Sequence, residues 1–134
     1  MERADVEILR QAFAESAEGD VSALFRVAAE DIRVYPRPDE PAVAEQYDGL
    51  DGLMEYLTHW YSQWDEYEFE LVELEPAGER VLAVLRERGR VERTGIEVVE
   101  NLTHSFVVRD AKVVEWRMYD SHAEGRAAVG LPPA

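Results

Sequence analysis

Cysteine is absent from this chain of 134 residues, which excludes disulfides, thiolate catalysis and cysteine-based metal sites. Basic residues are scarce: 14 Lys and Arg stand against 29 Asp and Glu, for a net charge of −15. Such a charge repels phosphate backbones and anionic lipids, so nucleic acid and membrane partners are not expected. No apolar run is long enough to cross a bilayer, and the charged first 13 residues do not resemble a signal peptide. We therefore expect a cytoplasmic protein.

The N-terminal half alternates helical patterns with one short strand. With hydrophobic residues at 46%, the composition supports a packed core, and the length suits a single domain over residues 1–134. Apolar spacing predicts a helix over Glu2–Ala17, and a second helix that Asp20 caps and that includes Ala28. A strand around Ile32–Tyr35 ends at Pro36, and a proline-containing loop leads to a third helix over Leu50–Trp64.

The C-terminal half changes to the two-residue period of β-strands. Alternation around Tyr67–Leu71 is followed by three further strands, at Arg80–Arg93, Ile96–Val108 and Lys112–Tyr119. A last short helix follows Asp120. In it, Ser121 and Glu124 form a capping-box pattern, and the helix stops at Gly130. Helices that precede a run of antiparallel strands predict an α+β fold.

The hairpin around residues 109–111 decides which side chains meet inside the sheet. A three-residue loop pairs His104 with Trp116, whereas a two-residue loop pairs His104 with Arg117. We favour the first register, because it collects apolar residues on one face and polar residues on the other. The face that it predicts to be apolar contains Leu102, Phe106, Val114, Trp116 and Met118.

The preceding turn, at Thr94-Gly95, extends the same two faces. Pairing Arg93 with Ile96 adds Val81, Ala83, Leu85, Glu87 and Val91 to the inner face. The outer face then carries Arg86, Arg88 and Arg90. An outer face of this kind is either solvated or packed back to back against a second copy. We expect a homodimer formed through it.

Several motifs follow one another along the chain: Gly19-Asp20, Tyr47-Asp48-Gly49, and Arg109-Asp110-Ala111-Lys112-Val113-Val114 leading to Trp116-Arg117-Met118-Tyr119-Asp120. Taken in this order, they resemble the motifs of SnoaL-like polyketide-cyclase domains of the nuclear-transport-factor-2-like superfamily. The resemblance implies a cone-shaped roll, in which a curved, mostly antiparallel sheet wraps around N-terminal helices and leaves a pocket at its open end. It also implies that Asp120, at the end of the last strand, is an acid or base.

Ketosteroid isomerases, which are similar in fold, differ at their functional positions. The resemblance would place their catalytic aspartate near Pro36, their tyrosine near Ala12 or Phe13, and their second aspartate near Thr103 or His104. None of these positions has the required residue, so steroid isomerisation is not predicted.

Asp120 and His104 are the predicted catalytic residues. Asp120 follows apolar strand positions at the rim of the sheet, where apolar walls would raise its pKa and favour proton transfer. The alternative for Asp120 is a helix cap. His104 lies among apolar residues and could act as a base or as a hydrogen-bond donor; the alternative is a buried neutral histidine bonded to Tyr35.

Two functions remain open at this point. The first is a cofactor-free cyclase, isomerase or lyase acting on an apolar carbonyl compound. The second is a binding or dimerisation module without chemistry. No metal site is predicted, because the three histidines have no metal-binding spacing. The residues predicted to line the ligand pocket are Tyr35, Trp60, Glu87, Trp116 and Met118.

Overall fold

The computed structural model describes residues 3–17 and 22–133 and has an α+β fold, as the sequence predicts. Its elements are, in chain order, α1 (Ala4–Ala17), α2 (Ala23–Val27), β1 (Ala28–Tyr35), β2 (Tyr47–Asp48), α3 (Gly49–Ser62), β3 (Trp64–Ala77), β4 (Arg80–Val91), β5 (Glu97–Arg109), β6 (Lys112–Tyr119) and α4 (His122–Val129). Within this part of the chain, no helix is both long and apolar enough to cross a membrane.

A single six-stranded sheet has the order β2-β1-β6-β5-β4-β3. Only β1 and β6 run parallel, and every other neighbouring pair is antiparallel. Helix α3 contacts β1 and β2 at one edge and β3 at the other. A helix can reach both edges only if the sheet curves around it, so the predicted curved, mostly antiparallel sheet is confirmed.

The core lies between the concave face of the sheet and helices α1 and α3. In α1, Val6, Leu9 and Phe13 are fully buried at helical spacing, and the Phe13 ring packs edge-on against Phe106 at 5.5 Å. In α3, Leu53 and Tyr56 are buried, and the Tyr56 ring lies 6.3 Å from that of Trp116. The helices thus bring their aromatic residues directly onto β5 and β6.

Helix α4 covers part of the convex face. It contacts β4, β5 and β6, and a Cβ added to Gly125 would lie 2.5 Å from Cγ2 of Thr103. The predicted cap is confirmed, because Ser121 Oγ accepts a hydrogen bond from the backbone N–H of Glu124 at 3.1 Å. The helix ends at Gly130, whose φ of 82° lies in the left-handed region.

Several predicted element boundaries are wrong. Ala28 begins β1 instead of continuing the second helix, and α3 ends at Ser62, so Trp64 belongs to β3. The predicted loop also contains the two-residue strand β2, whose pairing with β1 supplies hydrogen bonds that no local pattern shows. The predicted cap Asp20, with Gly19, lies outside the described residues.

The β5–β6 hairpin begins in the register of the two-residue loop, the alternative that was not favoured, and leaves it at a bulge. Its turn contains two residues, Asp110 and Ala111, both with positive φ, and Arg109 pairs with Lys112. A bulge at Val114 then shifts the pairing by one residue, so that Phe106 faces Trp116 and His104 faces Met118. The inner-face residues Phe106, Trp116 and Met118 are therefore predicted correctly, although each β5 residue pairs with a β6 residue two positions further along than the favoured register predicts. Val113, not Val114, is the buried valine.

The β4–β5 register is also displaced by two positions. The last pair is Arg90 with Glu97, and the chain turns through residues 92–95. A displacement of two keeps each side chain on its predicted face, since strand side chains alternate. Leu85 consequently lies opposite Leu102, and Glu87 lies opposite Glu100.

Candidate functional site

An aromatic cavity lies between the concave face of the sheet and helix α3. It provides about 50 Å³ for solvent, which is room for a few water molecules. Its lining is Phe13, Leu24, Arg37, Glu40, Tyr56, Leu57, Trp60, Tyr61, Tyr67, Phe69, Leu85, Leu102, His104, Trp116 and Met118. Aromatic rings fill most of the space, and a few polar atoms interrupt the apolar wall.

His104 is the best-defined of these polar groups. Its Nδ1 accepts a hydrogen bond from the indole Nε1–H of Trp116 at 3.1 Å. Indole nitrogen can only donate, so Nδ1 carries no proton. Burial, and secondarily the positive charge of Arg37, lower the pKa of His104 to about 3. At neutral pH the imidazole is therefore neutral, with its proton on Nε2.

This protonation state restricts what His104 can do. Its Nε2–H has no hydrogen-bond partner among the described residues and can donate to a ligand oxygen. A pKa of about 3 makes the imidazole a very weak base. The structure agrees with the alternative of a buried, neutral histidine bonded to a side chain, although the partner is Trp116 and not Tyr35.

Glu40 brings a carboxyl group to the same cavity. The residue is 8% exposed, and its Oε1 accepts a hydrogen bond from the Tyr56 hydroxyl at 2.8 Å. Its Oε2 is buried and has no partner among the described residues. Burial raises the pKa of Glu40, while the Tyr56 hydrogen bond and the charge of Arg37 act in the opposite direction. Burial, then the neighbouring carboxylate, raise the pKa of Tyr56, which keeps its hydroxyl protonated as the donor.

The sequence analysis missed Glu40, Tyr56 and Arg37. Tyr56 had a usable signal, because it falls at helical spacing between Leu53 and Leu57, both buried. The other two residues lie in the loop between β1 and β2, where no periodicity reports which side chains turn inward.

Among the predicted pocket residues, Trp60, Trp116 and Met118 line the cavity together with His104. Tyr35 does not, because it alternates with the buried Val34 and faces the other side of the sheet. There its ring stacks under the Arg117 guanidinium, 4.0 Å away. The structure thus gives Tyr35 a surface contact in place of a cavity position.

Asp120 does not reach the cavity. Its carboxyl group is fully exposed, and Oδ1 accepts a hydrogen bond from the backbone N–H of Asp39 at 3.3 Å. The pKa of Asp120 is raised first by the side chain of Asp39 and next by desolvation. The expectation that apolar walls surround this carboxyl is therefore wrong, since the chain leaves the sheet at Tyr119 and the next side chain points to solvent.

Glu87 lies behind the cavity and does not line it. The residue is fully buried, and neither carboxyl oxygen has a hydrogen-bond partner of ordinary geometry among the described residues. Burial, with the carboxyl of Glu100 directly across the sheet, raises the pKa of Glu87 to about 8. This carboxyl is consequently protonated at neutral pH.

The sequence of this chain matches a known domain family. A model of the SnoaL-like domain family matches residues 9–116. The chain belongs to the SnoaL-like domain family. No curated protein matches the sequence.

Solved structures of SnoaL-like and related proteins share the fold. An NTF2-like protein from Burkholderia thailandensis is 24% identical, with a TM-score of 0.78, and 98% of this chain and 100% of that chain are covered. A candidate SnoaL-like polyketide cyclase from Jannaschia sp. is 16% identical, with a TM-score of 0.74 and 99% of each chain covered. TerC, co-crystallised with polyporic acid, is 16% identical, with a TM-score of 0.76 and 96% and 99% covered. The predicted cone-shaped, NTF2-like fold of this SnoaL-like chain is confirmed.

The neutral state of His104 predicts a pH dependence of stability. Its pKa is about 6.5 in the unfolded chain and about 3 in the folded one, so the unfolded state binds more protons below pH 6.5. His104 therefore destabilises the fold by about 1.4 kcal/mol for each pH unit below 6.5. We expect urea unfolding between pH 6.5 and 5 to show a shallower loss in His104→Phe than in the wild type.

A control separates this effect from general acid sensitivity. His122→Asn removes a histidine outside the cavity and leaves His104 in place, so its acid-side slope should equal that of the wild type. In the wild type, ¹⁵N NMR should show the Nε2–H tautomer down to pH 5. Protonation of His104 near pH 6.5 would contradict the assignment.

The raised pKa of Glu87 predicts that the stability of the fold decreases as the pH rises. Its pKa rises from 4.5 to about 8 on folding, so the folded state binds more protons between these values. Stability should be highest at the acid end of that window and should fall by about 1.4 kcal/mol per pH unit across it, because the unfolded chain loses the Glu87 proton that the folded protein keeps. The fall should level off above pH 8, where folded Glu87 also ionises. Glu87→Gln should remove this fall and exceed the wild type in urea unfolding at pH 9.

The matched control is Glu70→Gln, an exposed glutamate on β3, which should retain the wild-type slope. Equal slopes for Glu87→Gln and the wild type between pH 5 and 8 would show that Glu87 is ionised in the folded protein throughout that range.

Proposed function

We propose that this SnoaL-like protein binds a mostly apolar carbonyl compound in the aromatic cavity and transforms it by cofactor-free acid–base chemistry of the cyclase or isomerase type. The observation that carries the proposal is the free Nε2–H of the neutral His104, a hydrogen-bond donor set in an apolar wall. A donor in such surroundings polarises a carbonyl and stabilises the oxyanion that forms when a neighbouring proton is removed.

The apolar lining around the His104 donor supports this ligand class. Phe13, Leu85 and Trp116 provide apolar surface around the donor, which suits a flat apolar body. TerC, similar to this chain in fold, was co-crystallised with polyporic acid, so a protein of this fold accommodates an organic ligand. Asp120 is not part of the proposed acid–base machinery, because its carboxyl is exposed outside the cavity.

The small free volume sets a condition on binding. About 50 Å³ holds a few waters, so a ring-sized ligand must displace side chains that fill the cavity. Trp60 and Tyr61 are the candidates, because both are partly exposed while they line the cavity. Binding should therefore change the tryptophan fluorescence, which provides the readout.

Acetophenone, a single aromatic ring with one carbonyl, tests the proposal. We expect it to bind to the wild type with a fluorescence change, and His104→Phe to weaken binding by about 3- to 10-fold, the value of one neutral hydrogen bond. Asp120→Asn is the control and should bind as the wild type does. Equal binding to His104→Phe and wild type would refute the role of His104.

A second candidate function is that of a non-catalytic, dimeric binding module. The observation that favours it is the tightness of the cavity, in which the Trp60 ring packs against Trp64 and Tyr67. Under this alternative, ligands bind without being converted, and the convex face of the sheet forms the subunit interface.

The dimer has a defined candidate surface. Away from α4, the convex face carries the cross-strand pairs Glu68–Arg88 and Glu70–Arg86, and beside them Val99 is 55% exposed. A sheet face with paired charges around an exposed valine suits packing against a second copy. We propose that homodimers form there.

Val99→Glu tests this interface. We expect it to shift the mass measured by light scattering from dimer toward monomer, because it buries an unpaired charge. Ile96→Glu is the matched control: Ile96 is 60% exposed but lies in the β4–β5 turn, off the sheet face. A Val99→Glu protein that remains as dimeric as Ile96→Glu would exclude this surface.

A further inference from the structure

The cavity contains a donor and an acceptor that the protein itself leaves unused. The donor is the Nε2–H of His104. The acceptor is Oε2 of Glu40, a buried oxygen without a partner in the part of the chain described here. Leaving the buried Oε2 of Glu40 unpaired is costly, and the Nε2–H of His104 is a second unused polar group in the same cavity, so a ligand that satisfies both is favoured.

A short series of contacts connects the two groups. The Tyr56 hydroxyl binds Oε1 of Glu40 at 2.8 Å and lies 3.2 Å from Sδ of Met118. Met118 is the cross-strand partner of His104 on the concave face. Tyr56 and Met118 thus connect Glu40 with His104, and all four residues line one cavity.

Tyr56 holds the carboxyl in a fixed orientation. Its hydroxyl uses the one proton it can donate on Oε1, which leaves Oε2 as the oxygen that can receive a ligand hydrogen. Burial also disfavours the charged carboxylate and increases its affinity for a proton. A ligand hydroxyl could donate a hydrogen bond to Oε2, and it could also supply the proton for which the buried carboxylate has a raised affinity.

We propose that the ligand of this site carries a hydroxyl group as well as a carbonyl, and that Glu40 is the residue that receives the hydroxyl proton. The inference rests on the proposed function and specifies its substrate class as hydroxylated aromatic or enolic ketones. When the proton moves, the ligand O–H bond breaks and an O–H bond forms on Oε2 of Glu40. The electron pair left on the ligand oxygen delocalises toward the carbonyl that His104 binds.

Arg37 and Met118 complete the arrangement. Arg37, Glu40 and Met118 line the cavity and also an adjoining surface groove of about 370 Å³. The three unbranched side chains therefore form the boundary between the interior and a space large enough for a ligand substituent. The positive charge of Arg37 next to this boundary favours the anionic oxygen that deprotonation produces.

Two isosteric ligands test the inference. 4-Hydroxyacetophenone and 4-methylacetophenone differ by one hydroxyl in place of one methyl, and an apolar wall alone would favour the methyl compound. We expect the wild type to bind the hydroxyl compound about tenfold more tightly, at a pH where the free phenol is un-ionised. The bound phenol should show the red-shifted absorption of a phenol that donates its proton to a carboxylate.

Two glutamates provide the matched variants. Glu40→Leu should abolish or reverse the preference for the hydroxyl compound, whereas Glu55→Leu, at an exposed position of α3 that lines neither the cavity nor the groove, should keep it. Tyr56→Phe retains the Glu40 carboxyl and should retain the preference. If Glu40→Leu does not fold, the wild-type preference and the phenol absorption still decide the question.

The outcomes separate the two proposals. If acetophenone binds through His104 but the hydroxyl compound gains nothing over the methyl compound, this inference is wrong and the proposed function stands. If the preference survives in a folded Glu40→Leu protein, another group receives the hydroxyl. If no acetophenone derivative binds, both proposals fail together.

Discussion

The interior of this protein depends on how β5 pairs with β6. The two-residue turn at Asp110 and Ala111 would by itself place Trp116 and Met118 on the convex face, because a one-residue change of register exchanges the two faces of a strand. The bulge at Val114 adds one residue to β6 and reverses that exchange. His104, Phe106, Trp116 and Met118 consequently share the concave face. The cavity, the histidine tautomer and the packing of α1 and α3 all follow from that one extra residue.

The bulge also explains what the sequence could and could not predict. The sheet face on which each side chain lies was predictable, because apolar and polar residues separate cleanly in any register that preserves alternation. Glu87, His104 and Trp116 were accordingly placed on the correct face. The partners were not predictable, because a bulge has no apolar signature of its own. The displacement in the β5–β6 hairpin is the result of that ambiguity, whereas the displacement in the β4–β5 hairpin comes from a turn through residues 92–95 that is longer than the predicted one.

The site was less predictable than the fold. His104 and Trp116 were found because strands report burial through their two-residue period. Glu40 and Arg37 were missed because they come from a loop whose inward residues are chosen by tertiary contacts, such as the hydrogen bond from Tyr56. Asp120 was misjudged for a related reason: its strand ends one residue earlier, and the alternation that placed it inside no longer applies.

The buried titratable groups in and behind the cavity make the stability of this protein depend on pH. His104 costs stability at acid pH, and Glu87 costs it at alkaline pH. The Trp116 and Tyr56 hydrogen bonds limit these costs, since each satisfies one atom of a buried polar group. Each bond also leaves one atom available: Nε2–H on His104 and Oε2 on Glu40.

The parallel pairing of β1 with β6 has a consequence for synthesis of the chain. Val34 lies beside Trp116 in the sheet, although more than half of the sequence separates them, so β1 has no parallel partner until β6 has been made. Such distant contacts form late, because a long loop must close first. On the ribosome, β3, β4 and β5 can pair in order as they emerge. The parallel pairing of β1 and the closure of the cavity require β6, the last strand to be made. A nascent chain released before β6 would therefore expose both the strand edges and the aromatic residues that the cavity later encloses.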